Sequence, residues 1–200
     1  MNTEHTPGLT VLIVSASRRR LDNLMEALAA SAPEHRLVGR LDRAIDLPTW
    51  VAELEPDAII MDTESPSRDT LEQIVVMSES TPRPIVMFSQ DESQDTMRQA
   101  VSAGVACYVV NGLENDRIQP LLQLAQVRFE AWQAMRHDTL RARQELQEHK
   151  LIEQAKRRLM KLENLSEEAA YQALRREAML HRKRIADVAR LLMEVMPPAA

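Results

Sequence analysis

The sequence predicts an α/β domain with a doubly wound, five-stranded parallel sheet, followed by a long coiled-coil helix and a small all-α domain of three helices. Three observations predict it. Short apolar runs at Thr10–Ser15 (TVLIVS), Asp57–Met61 (DAIIM), Pro84–Phe88 (PIVMF) and Ala106–Val110 (ACYVV) suit strands buried on both faces. The segments between them carry apolar residues at helical spacing, so strands and helices alternate. From about Arg117 onward the pattern is purely helical: no Gly follows Gly112, and Pro120 sits in a first turn, where a missing N–H does no harm.

In chain order, TVLIVS leads into a helix over Arg18–Ala30, with Leu21, Leu24, Met25 and Leu28 on one side. A weaker strand at Leu37–Arg40 precedes a helix from about Pro48, a residue suited to a first helical position, to Leu54. The DAIIM strand leads into Asp62. After the loop Thr63–Ser67 come a helix over Arg68–Ser78, the PIVMF strand, a helix over Asp91–Ala103 stopped by Gly104, and the fifth strand. In such sheets chemistry sits beyond the carboxyl ends of the strands, here Ser15, Asp62, Ser89 and Asn111.

The long helix, from about Arg117 to about Leu162, would span roughly 70 Å at 1.5 Å per residue, more than one small domain can cover. Apolar residues recur at Leu122, Ala125, Phe129 and Trp132, thin out through Arg136, Thr139 and Arg143, and resume at Leu151, Ile152, Ala155, Leu159 and Leu162. That spacing predicts a coiled-coil seam and a homodimer; a single solvated helix, apolar only at its ends, is the alternative. Two shorter helices follow, Glu167 to about Leu180, capped by Ser166, and about Lys183 to Val195. The expected domains are 1–116, the coiled-coil linker 117–149, and 150–196.

The net charge of -5 hides an asymmetry. From Lys150 onward there are 11 Lys and Arg against 7 Asp and Glu, so the tail is basic and the front acidic, as in a polyanion reader joined to a control domain. The lone Cys107 excludes an internal disulfide. A polar stretch before Gly8 and no long apolar run lead to the expectation of a cytoplasmic protein that does not enter the membrane. The five histidines are scattered without ligand spacing, and no Gly-rich phosphate loop or nucleophile with an evident base occurs, so no metal, cofactor or enzymatic activity is expected. Trp50 and Trp132 are expected to pack.

Residues from about Thr10 to Phe129 resemble the receiver domain of bacterial response regulators. The resemblance makes Asp62 the phosphoacceptor equivalent and Ser89 the hydroxyl that ends the fourth strand. Where that family has an acidic pair for Mg²⁺ stand Ser15 and Ala16, and Asn111 replaces its Lys; no Lys at all precedes Lys150. Mg²⁺ favours carboxylates, and phosphoryl transfer needs cations to offset charge, so Asp62 is expected to be inactive, a pseudo-receiver. Three roles remain open for Asp62: a loop carboxylate capping the next turn, part of a partner surface, or the acceptor of a phosphorylation-controlled regulator.

The loop Asp62–Asp69 (DTESPSRD), with PRPIVMF, MRQA and SAGV, resembles the nitrate- and nitrite-responsive antiterminators of the NasT type. The tail resembles the ANTAR RNA-binding domain through Ile152, Ala155, Lys156, Leu159 and Met160, then Leu165, Ser166, Ala170, Tyr171, Leu174 and Arg175, then Ala178, Met179, Arg184, Ile185, Asp187, Val188 and Ala189. Arg157 stands where that family usually has Gly. The resemblance implies a transcription antiterminator that holds paired hairpins in a leader RNA and is controlled by a NasS-like nitrate or nitrite sensor protein. The basic residues off the apolar stripes are Lys156, Arg157, Lys161, Arg175, Arg176, Arg182, Lys183 and Arg184; they are the candidate RNA contacts. Tyr171 is either a stacking platform or, more in keeping with its stripe, a core residue. Glu64, Arg68 and Asp69 are the candidate partner contacts, the alternative being a loop that caps the next helix through Ser67 or Asp69. A protein scaffold that binds no nucleic acid is the remaining functional class.

Overall fold

The structure, a computed structural model, describes residues 8–31, 33–111 and 117–195. The polar N-terminal stretch, His5 and the expected domain ends at 116 and 196 lie outside the described residues. The elements are β1 (Thr10–Ser15), α1 (Arg18–Ser31), β2 (Arg36–Leu41), α2 (Leu47–Leu54), β3 (Ala58–Thr63), α3 (Arg68–Ser80), β4 (Ile85–Ser89), α4 (Gln94–Ala103), β5 (Cys107–Val110), α5 (Ile118–Glu163), α6 (Glu167–His181) and α7 (Ile185–Val195). Two compact units divide between Gln133 and Ala134, inside α5.

In the first unit all five strands run parallel in the order β2-β1-β3-β4-β5. Alternation along each strand sorts its side chains to two faces. Val11, Ile13, Ile60, Val86 and Phe88 meet Leu21, Leu24 and Leu28 of α1 and Ile118, Leu122 and Ala125 of α5. Leu12, Val14, Ile59, Met61, Ile85 and Met87 meet α2, α3 and α4 through Leu47, Val51, Ile74, Met77 and Ala100. Burying each large aliphatic side chain contributes about 1.5–3 kcal/mol, so the continuous apolar runs that mark the strands are also the main source of stability. Gly104 ends α4 at φ 119, and a Cβ there would run into the Ser78 hydroxyl.

Four expectations are corrected. β3 continues to Thr63, and the pairing Ser15 with Asp62 puts that carboxylate inside the sheet, so Asp62 caps nothing; Ser67 caps α3, its Oγ accepting from Thr70 N at 3.1 Å. α4 begins at Gln94, because Asp91 accepts from Ser93 N and leaves Ser93 to cap the helix. The expected coiled-coil seam is consumed within the chain: Leu122 and Ala125 lie in the first unit's core, Ala155 and Leu159 in the second's. Phe129 and Trp132 stack at 6.0 Å, whereas Trp50 is 40% exposed instead of packed.

Candidate functional site

In the second unit the end of α5 packs with α6 and α7 around Ala155, Leu159, Ala170, Leu174 and Ala189. The alanines let the three helices approach closely around Leu159 and Leu174. Ser166 caps α6, its Oγ accepting from Ala169 N at 3.2 Å, and Glu167 and Glu168 occupy the first turn, where the helix dipole favours negative charge. α6 ends at Arg182 in the left-handed region, φ 52, with Lys183 N donating to the Ala178 carbonyl at 2.9 Å.

The eight basic candidates of this unit fall into two groups. Lys156 is buried, and its Nζ lies 2.6 Å from Glu153 and 2.7 Å from Glu167. Those carboxylates push its pKa up and hold the start of α6 to α5, so Lys156 is a clasp whose ammonium is already paired. Arg184 is exposed but committed, with Glu148 at 2.9 Å and Asp187 at 3.2 Å. Arg157, Lys161, Arg175, Arg176, Arg182 and Lys183 are exposed and make no ion pair among the described residues. On α6, Tyr171, Arg175 and Met179 follow one another at helical spacing on an exposed stripe, and Arg182 stands exposed at its C-cap. Tyr171 is 38% exposed, which corrects its expected place in the core and presents an aromatic face beside arginines.

At the carboxyl end of the sheet, the first unit gathers Ser15, Asp62 and Ser89 as expected, together with a residue the sequence did not single out. Arg20, in the first turn of α1, brings Nε to 2.8 Å from Asp62 Oδ2 and Nη1 to 3.5 Å from Glu64 Oε1. The Asp62 approach is oblique, an ion contact more than a directed hydrogen bond. Ser15 Oγ donates to the same Asp62 oxygen at 3.1 Å. Burial nonetheless pushes the Asp62 carboxyl up; Arg20 and Ser15 act against it without prevailing. A cavity of about 240 Å³ beside it is lined by Arg20, Asn23, Asp62, Ser89, Gln90 and Asn111. The residues do not fit a Mg²⁺ site: no second carboxylate comes from Ser15 or Ala16, and a guanidinium already rests against Asp62. Among the described residues no group of three His, Cys, Asp or Glu could hold a metal ion.

Comparison with known proteins bears on both units. Residues 140–193 match the model of the ANTAR domain. The transcriptional regulatory protein PdtaR of Mycobacterium tuberculosis is 29% identical over 147 residues, 73% of this chain and 72% of that protein. The first unit is similar in fold to the signal receiver domain of a modulated diguanylate cyclase from Desulfovibrio desulfuricans G20, with a TM-score of 0.54 at 18% identity, covering 62% of this chain and 98% of that one. A LuxR-family DNA-binding response regulator from Staphylococcus aureus gives a TM-score of 0.52 at 14% identity, covering 58% and 98%. Residues 140–193 are thus similar to the ANTAR domain, and the first unit shares the fold of receiver domains.

In the receiver-like domain the two loops beside Asp62 are fastened to each other. Ser89 Oγ donates to the Glu64 carbonyl at 3.0 Å and accepts from Asp91 N at 3.1 Å; Ser65 Oγ donates to Asp91 Oδ2 at 2.7 Å. Asp91 also accepts from Ser93 N at 2.9 Å and Thr96 Oγ1 at 2.9 Å, and its backbone carbonyl accepts from Tyr108 OH at 2.9 Å. Hydrogen bonds from Ser65, Ser93 and Thr96 pull the Asp91 carboxyl down to about 2. Asn111, at φ 46, donates to Glu92 instead of reaching Asp62. Of the partner candidates, Glu64 and Asp69 are exposed, and Arg68 is exposed but paired with Glu72 at 2.7 Å. In the span that matches the ANTAR domain, the cations without an ion pair among the described residues and Tyr171 are all exposed. Among the described residues no helix is long and apolar enough to cross a membrane.

Proposed function

We propose that this chain is a non-enzymatic transcription antiterminator whose ANTAR domain binds paired hairpins in a leader RNA. The observation that carries the proposal is the exposed, unpaired set Arg157, Lys161, Arg175, Arg176, Arg182 and Lys183 beside Tyr171, within the span that matches the ANTAR domain. Free cations neutralise phosphates, and an aromatic face with neighbouring guanidinium groups suits an unpaired loop base. Transcription in vitro through a leader that ends in a terminator tests it: the chain raises read-through when two hairpins precede the terminator and not when their loops are replaced.

Control comes through the receiver-like domain without phosphorylation. A NasS-like nitrate or nitrite sensor would dock on Glu64, Arg68 and Asp69 and keep the chain from RNA until its own ligand releases it, placing the protein in nitrate assimilation. Exposed charges on the fastened loop and in the first turn of α3 support this, since fixed charges specify a partner through complementarity. RNA then displaces the sensor, and Glu64→Arg with Arg68→Glu weakens sensor binding at unchanged RNA affinity. The alternative, phosphorylation at Asp62, is opposed by the missing acidic pair and by Arg20; a small phosphodonor with Mg²⁺ adds no mass at Asp62 if the proposal holds.

A second copy of the chain completes the regulator through a different seam from the one the apolar spacing suggests. Leu124, Met135 and Leu146 recur every 11 residues along α5, and Val127, Ala131 and Ala142 fall on the same stripe, all exposed. An 11-residue repeat keeps such a stripe nearly in line with the helix axis. Arg128, Arg143 and Lys150 flank it on one side and Glu130 on the other, where Glu145 and Glu148 are already paired with Arg141 and Arg184, so a parallel copy sets Glu130 against a basic flank.

A further inference from the structure

The pocket at the head of the sheet contains a cation that belongs to the fold. Arg20 lies one turn beyond the end of β1, so its side chain reaches across the strand ends to Asp62 on β3 and to Glu64 in the loop after it. The guanidinium cannot lose its proton in a protein, so the positive charge is permanent. Asp62 Oδ2 carries both the Arg20 contact at 2.8 Å and the Ser15 hydroxyl at 3.1 Å, which leaves it poorly placed to enter the tight octahedral shell of Mg²⁺. A divalent ion there would also face the guanidinium as a like charge.

The same loop is held from its other side by β4. The Glu64 carbonyl accepts from Ser89 Oγ and from Gln90 N, both at 3.0 Å, and Ser65 is bonded to Asp91. Arg20 is the tether from α1. Without it, Asp62 and Glu64 would meet as two carboxylates with no cation between them, and the loop would be fastened on the β4 side alone.

We propose that Arg20 is a built-in counter-cation that closes the Asp62 pocket to divalent metal and holds the β3–α3 loop in a single arrangement, with no metal and no phosphate required. The inference extends the phosphorylation-independent control proposed above, but it concerns metal access and loop order, which are measured separately from phosphate uptake. Arg20 acts here as a positioning residue through Asp62 and Glu64.

The test uses the full chain and Mg²⁺ alone, by titration calorimetry on Ser15→Asp/Ala16→Asp with Arg20 retained and with Arg20→Ala added. Circular dichroism verifies that each protein is folded. Restoring the acidic pair alone leaves Mg²⁺ binding weak, and removing Arg20 tightens it at least tenfold. Equal affinity with and without Arg20, or no binding in either protein, overturns the metal-exclusion role. Hydrogen exchange of the backbone from Asp62 to Ser65 reads the second role without added metal: Arg20→Gln speeds exchange several-fold, and Arg20→Lys, which keeps the charge, restores part of the protection. Exchange unchanged in Arg20→Gln overturns the tether. A phosphoryl group on Asp62 of the wild type would instead contradict the proposed control of the domain, whatever the Arg20 variants show.

Discussion

Replacing Arg175 and Arg176 with Ala probes the proposed RNA surface with little disturbance to the fold. Both side chains are exposed and unpaired among the described residues, so their removal breaks no internal contact, and Ala is the best helix former for the middle of α6. If each guanidinium neutralises one phosphate, the slope of log affinity against log salt falls by about 0.9 per residue, or about 1.8 for the pair. Raising salt from about 50 to about 200 mM therefore weakens wild-type binding roughly twelvefold more than it weakens the variant. Fluorescence anisotropy with a labelled two-hairpin RNA at four or five salt concentrations measures both slopes, and circular dichroism checks helicity. Lys156→Ala is the contrasting variant: with its ammonium held between Glu153 and Glu167, its loss lowers thermal stability while leaving the salt slope near wild type. A wild-type slope in the Arg175/Arg176 variant, or a reduced slope in Lys156→Ala, refutes this assignment of free and committed cations.

Leu174→Ala empties the centre of the three-helix core and should destabilise that unit by about 3 kcal/mol, seen as a lower or lost helical melting transition. Asp91 and Asp62 act oppositely on stability against pH. Asp91, drawn down to about 2, adds stability above its ordinary 3.8 that disappears as pH falls toward 2, so Asp91→Asn flattens that part of an acid-denaturation profile. Asp62, pushed up by burial, subtracts stability as pH rises above 3.8, and Asp62→Asn removes that decline from the same profile. Met135→Glu places a charge in the exposed stripe of α5 and should shift sedimentation from dimer toward monomer, with the melting of each folded unit unchanged.

The sheet was legible because parallel strands buried on both faces leave unbroken apolar runs, and TVLIVS, DAIIM and PIVMF are such runs. Other features depend on tertiary choices that spacing does not encode. Leu122, Ala125, Ala155 and Leu159 have the same period whether they face a partner helix or their own domain, and the structure turns all four inward. The expected start of α4 at Asp91 came three residues early because Asp91 and Ser93 are both good caps; Ser65, from a different loop, engages Asp91 and Ser93 caps the helix. Tyr171 follows Ala170 by one residue, a turn of about 100°, enough to carry it from the core to the surface. Arg20 is one of three consecutive arginines, Arg18 to Arg20, and only the docking of α1 on the sheet selects which one reaches Asp62. The absence of Lys before Lys150 was the available hint that an arginine would serve as the cation there.

The central claim, that the helical tail reads leader RNA, is tested most directly by titrating the full chain against three RNAs of equal length: two intact hairpins, one hairpin, and two hairpins with replaced loops. The account requires tight, salt-sensitive binding to the intact pair and at least tenfold weaker binding to the other two. Equal affinity for all three would reduce the basic face to a non-specific polyanion contact, and no binding to any of them would contradict the account outright.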